Sequence, residues 1–166
     1  MTALYKGFAV ALIHLMIVLS LGGKLLYDRA HRPRVWVRTG SVDPDLPIRG
    51  RYFTLSLQVK APWFQPSQQS YEQDVSLSVE NGELVASRSD SPTGVTISSW
   101  RWARQQNGTV FLDQGIPFFI PEHAEIPVPR RGEELWAEVT VPRQGPPRPI
   151  QLALKKGTEW HPLDLR

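Results

Sequence analysis

The sequence predicts a mainly β protein, with an N-terminal transmembrane helix followed by a single antiparallel β barrel or sandwich domain. Three observations lead there. The run GFAVALIHLMIVLSLGG, residues 7–23, carries no Asp, Glu, Lys or Arg. Beyond Arg32 the chain alternates apolar and polar residues with a period of two, the signature of half-buried strands. No later stretch shows the helical periodicity that the crossovers of a parallel sheet require.

The apolar run is about 26 Å long as a helix, close to the roughly 30 Å of a bilayer core. Extending it to residues 5–27 closes the gap, because Lys24 can snorkel its ammonium toward the headgroups. Residues 5–27 are therefore read as a transmembrane anchor, 28–34 as a basic juxtamembrane linker and 35–166 as one β-rich domain. The alternative reading of the first segment is a cleavable secretory signal, with Lys6 as its basic start and Ser20-Leu21-Gly22 offering small residues at a processing site. His14 is the only strongly polar side chain in the run, placed to meet a partner helix. Lys24, Arg29, Arg32, Arg34 and Arg38 follow the span while Lys6 precedes it, a bias that favours a cytoplasmic body.

The strands follow in order. Val35 and Val37 open the first. In the next, Phe53, Leu55, Leu57 and Val59 form an apolar face against Thr54, Ser56, Gln58 and Lys60. Val75, Leu77 and Val79 repeat the pattern, and Asn81-Gly82 then supplies a two-residue turn into Glu83-Leu84-Val85-Ala86, the most secure hairpin in the chain. Val95 and Ile97 suggest another strand, and Asn107-Gly108 precedes Thr109-Val110-Phe111-Leu112. Leu135, Ala137, Val139 and Val141 share one face, and after a proline-rich loop Ile150, Leu152 and Leu154 share another. Leu55, Leu57, Val75, Leu77, Leu135 and Val139 are the expected core. The 15 prolines fit a body of short strands and loops, since proline cannot donate to an interior ladder.

Composition excludes several chemistries. With no cysteine there is no disulfide, thiolate metal site or thiol nucleophile. The net charge of +3 arises in the basic flank of the span, and the body after residue 38 is net acidic, without the basic, aromatic-interleaved stripe of a nucleic-acid binder. His31, His123 and His161 lack compact ligand spacing, Asp43 and Asp45 suit a DPDLP turn, and no serine sits in a nucleophile elbow. No metal, cofactor or specific small molecule is expected. Glu122-His123 is the nearest approach to an acid–base pair, but neighbours on a strand point to opposite faces.

Aromatic residues point instead to binding. Trp100 and Trp102 are spaced to share a strand face, where they most simply fill the core or cover its rim, a ligand or protein groove being the alternative; Trp136 faces away from Leu135, Ala137 and Val139, where an exposed ring favours a partner. At the entrance to the cleanest strand stand Arg49, Gly50, Arg51 and Tyr52; Gly50 suits a bend, and the arginines suit solvent or an acidic neighbour.

Gly50-Arg51-Tyr52-Phe53-Thr54-Leu55-Ser56-Leu57 resembles the motif Gly-Asp-Tyr-x-x-Leu-x-Tyr of the GDYXXLXY family of bacterial membrane-anchored proteins. Gly50, Tyr52 and Leu55 match, Arg51 stands at the acidic position and Leu57 at the final tyrosine. VDPDLPIRG before the motif, FFIPE at 118–122 and RRGEELWAEVTV at 130–141 extend the resemblance over most of the chain. It implies a single-pass anchor in the bacterial cell membrane, a mainly extracytoplasmic domain, association with a multispanning membrane protein and no transferable catalytic activity. On sidedness it opposes the basic flank, and the extracytoplasmic body is the expectation carried forward. The functional expectation is a non-enzymatic accessory or interaction module in contact with the lipid bilayer, its candidate contact or motif residues being Arg49, Gly50, Arg51, Tyr52, Leu55, Glu122 and Trp136. The alternative is a membrane-bound hydrolase using Glu122 with a histidine such as His123 or His161 brought near by folding.

Overall fold

The computed structural model describes residues 3–40, 52–64, 72–98, 108–121, 124 and 128–164. The chain divides into two compact units, Met1–Arg32 and Pro33–Arg166.

The first unit is a single helix, α1 (Ala3–His31). Leu15, Met16, Ile17, Val18 and Leu19 are each more than half exposed. Five consecutive residues at about 100° apart sweep the whole circumference, so this helix has no polar face to keep in water. Its stretch Tyr5–Asp28 is long and apolar enough to cross a membrane. The helix continues across residues 28–31 of the segment read as linker. Its last turn is tied by the Asp28–Arg32 ion pair at 3.0 Å and by Tyr27 stacked on His31 at 4.1 Å. Pro33 follows, a residue before which helices ordinarily stop.

The second unit is built of strands. A four-stranded sheet has the order β1 (Arg34–Arg38), β9 (Glu133–Thr140), β10 (Arg148–Lys156), β11 (Glu159–Pro162). A five-stranded sheet has the order β6 (Thr96–Ser98), β4 (Glu72–Glu80), β5 (Glu83–Arg88), β3 (Gln58–Lys60), β7 (Thr109–Phe111). The remaining pair is β2 (Tyr52–Leu55) with β8 (Ile116–Phe119).

Three features correct the expected architecture. β3 and β5 run parallel, through the Lys60–Val85 register pair, because the β4–β5 hairpin places its second strand between β4 and β3. The sheets are not closed into a barrel: among the described residues the bridge from Ile97 to Leu112 draws the two ends of the five-stranded sheet together without extending into a ladder. The run from Phe53 to Val59 is divided between partners. Leu55 ends β2 opposite Ile116, Leu57 bridges to Thr39, and Val59 pairs with Val110. All three side chains are nonetheless buried, so one inner face is kept while the backbone changes neighbours.

That face joins one continuous core. Val35, Val37, Leu55, Leu57, Val75, Ile97, Leu112, Leu135, Val139 and Leu152 belong to it. Leu77, an expected core position, is only partly buried against it. β4 runs on from Val75 toward an exposed hairpin tip, so the burial of its inner face fades along the strand. At the tip Asn81 and Gly82 both take positive φ, 51° and 77°, as the expected two-residue turn demands. Gly108 is required on two counts: its φ is 69°, and a Cβ there would meet the Pro62 backbone at 3.3 Å.

Prolines fall where a ladder tolerates them. Pro117 is in β8, which among the described residues pairs with β2 alone, and Pro149 lies at the register shift between β10 and β9. The proline-rich segment after Thr140 closes as the β9–β10 hairpin loop, with Thr140 opposite Arg148.

Candidate functional site

Period two places Val35 and Val37 of β1, and Leu135, Ala137 and Val139 of β9, on the inner face of the four-stranded sheet. Trp36 and Trp136 are thereby turned to the outer face. Register sets Arg38 opposite Trp136, and Ala153 of β10 opposite Trp136 on its other side. The β10–β11 hairpin, turning at Gly157-Thr158, sets Trp160 opposite Lys155.

The three indoles meet over the sheet. Trp160 lies 5.2 Å from Trp36 at 57° and 5.3 Å from Trp136 at 64°. β1 and β11 are the two edges of this sheet, three strand spacings or roughly 14 Å apart. Only side chains as long as tryptophan lean far enough inward from both edges to touch. Ala153 shares the outer face yet is completely buried, as a small residue beneath such a roof should be.

Charges frame the rings. Lys155 Nζ sits 4.9 Å from the centroid of Trp136 and 5.0 Å from that of Trp160, within cation–π range of both. The Glu134 carboxylate accepts from the Trp136 indole N–H at 3.1 Å and pairs with Arg38 at 3.0 Å. These bonds hold Trp136 half-buried and fix its orientation, while Trp160 remains 41% exposed. Beside the cluster a groove of about 280 Å³ runs from Trp36, Trp136 and Trp160 toward the Lys60–Glu83 ion pair. A second hollow, of about 380 Å³, is lined by Arg38, Glu134 and Lys155.

Of the residues singled out from sequence, Trp136 belongs to this cluster and Leu55 is wholly inside the core. Tyr52 begins β2 opposite Phe119. Arg49, Gly50, Arg51, Glu122, His123, Trp100 and Trp102 lie outside the described residues. His161 is exposed on β11, its Nε2 3.7 Å from a Glu159 oxygen. Among the described residues no group of three or more His, Cys, Asp or Glu is placed to hold a metal ion. Trp36, Trp160, Lys155 and Glu134 are not singled out by the sequence, and Arg38 enters there only as part of the basic flank. Trp36 alternates with Val35 and Val37, and that signal was there to be found; Trp160 needed the β10–β11 turn to be recognised first.

The chain matches no family model, no curated protein and no solved structure.

Proposed function

We propose that the chain is a single-pass, membrane-anchored accessory module that binds a protein partner through the outer face formed by Trp36, Trp136 and Trp160. The observation that carries the reading is the convergence of three tryptophans with Arg38 and Lys155 on one sheet face. Tryptophan and arginine are the residues most enriched at binding hot spots, where a large rigid surface is buried at low entropic cost. An indole cluster already oriented by Glu134 and Lys155 loses little further freedom on binding. The all-round apolar α1 supplies the anchor and restricts encounters to membrane-associated proteins. The motif around Gly50 to Leu57 supports membership of the GDYXXLXY family, and with it an extracytoplasmic body beside a multispanning membrane protein.

The test is mild detergent extraction of the full chain from its native membrane, followed by crosslinking and identification of partners. Trp160→Ala should weaken capture of a recurring membrane protein by about 30-fold, the scale of a hot-spot truncation, while the fold persists by circular dichroism. Undiminished capture by a folded Trp160→Ala chain would remove this face from the interaction. Protease added to intact spheroplasts should digest residues 35–166, and protection there would reverse the sidedness.

A further inference from the structure

α1 carries one polar group deep within its apolar stretch. His14 is 2.5 residues from the midpoint of Tyr5–Asp28, about 4 Å along the axis and well inside a hydrocarbon core of roughly 30 Å. Its Nδ1 lies 2.8 Å from the carbonyl oxygen of Val10, one turn back. A carbonyl oxygen can only accept, so Nδ1 carries the proton and donates it. In the neutral ring with Nδ1 so engaged, Nε2 is a bare acceptor.

Nothing on α1 can satisfy that acceptor. The residues within a turn of His14, from Val10 to Val18, are all apolar, and the interior backbone N–H groups are committed to the helix. Ser20 is six residues on and about 240° around the helix, on another side. Water is absent at that depth, and an acceptor left unpaired in hydrocarbon is costly.

A second copy of the chain does not solve the problem. Two parallel copies that both keep the bond from Nδ1 to Val10 would present Nε2 to Nε2, acceptor to acceptor, with no proton between them. We infer that His14 Nε2 accepts a hydrogen bond from a transmembrane helix of a different protein, one that presents a hydroxyl, carboxamide or indole donor near the middle of the bilayer. Gly7 and Ala11, seven and three residues before His14, flank it on the same side of the helix and let a neighbouring backbone come close. This inference rests on the anchored reading above and adds the chemistry of the partner's span.

The experiment places a photocrosslinking amino acid at Leu21, on the His14 side of the helix, and separately at Leu12, on the far side, in the full chain within its native membrane. Leu21 should crosslink to a transmembrane peptide of another protein containing one of those donors, and Leu12 should not. His14→Leu should lower the yield about threefold to tenfold, the range for one interhelical hydrogen bond, and His14→Gln, which restores an acceptor, should recover it. Crosslinking to a second copy of the chain, no crosslink from Leu21, or a yield unchanged in His14→Leu would each overturn the inference. Alkaline carbonate extraction run in parallel separates this from failure of the anchor: release of the intact chain defeats the anchored reading itself, whereas retention with an unchanged yield defeats only the role of His14.

Discussion

The four-stranded and five-stranded sheets have the same kind of inner face and opposite kinds of outer face. Inside, Leu135, Val139 and Leu152 of one and Val75, Leu84 and Ile97 of the other enter a common core. Outside, β4 presents exposed Ser76 and Glu80, whereas β1, β9 and β11 present three tryptophans, with the fully buried Ala153 opposite Trp136. A sheet whose outer face meets only water needs no large side chains there. The four-stranded sheet carries them all the same, and the comparison therefore separates the residues that make the fold from those available for binding.

The inner faces should respond alike. Leu152→Ala and Leu84→Ala should each destabilise the folded chain by about 2–5 kcal/mol, measured by denaturant unfolding in detergent, since both side chains are almost fully buried. A loss below about 1 kcal/mol in either would break the equivalence.

The outer faces should respond differently. Ala153→Leu, pressed beneath the indoles, should cost about 1–3 kcal/mol by overpacking, while Ser76→Leu on the exposed face of β4 should stay within about 0.5 kcal/mol. Equal responses would mean that the tryptophans do not roof their sheet. Trp160→Ala should cost about 0.5–1.5 kcal/mol of ring–ring contact beyond the loss of its partly buried area. Lys155→Met should be the mildest change near the cluster, about 0.5–1 kcal/mol, because the ammonium loses its ring contacts while much of the stem's packing is replaced.

Local chemistry was legible wherever it acts within a few residues. Asn81-Gly82 announces its turn because both positions need positive φ, and the alternation at Leu55, Leu57 and Val59 announces its buried face because side-chain direction follows from the backbone period alone. β8 is not among the strands expected from the alternation, and among the described residues it pairs with β2 alone, an arrangement that accommodates Pro117. Leu77 was over-assigned to the core because period two tells which way a side chain points, and not how far the opposing layer extends.

For the candidate site the division is sharper. The outward direction of Trp136 could be read from its neighbours, and so could the apolar length of α1 and the isolation of His14 within it. The meeting of Trp36 with Trp160 could not, for they stand 124 positions apart in the chain and on opposite edges of the sheet. Their contact depends on the order β1-β9-β10-β11 and on the reach of both rings across it. The sequence by itself determined the periods, the Asn81-Gly82 turn, the apolar helix and the absence of cysteine chemistry, all of which follow from the covalent and steric character of neighbouring residues. Only the tertiary structure decided which strands became neighbours and which side chains converged over them, because strand pairing is a choice among distant partners that the alternating pattern leaves equally open.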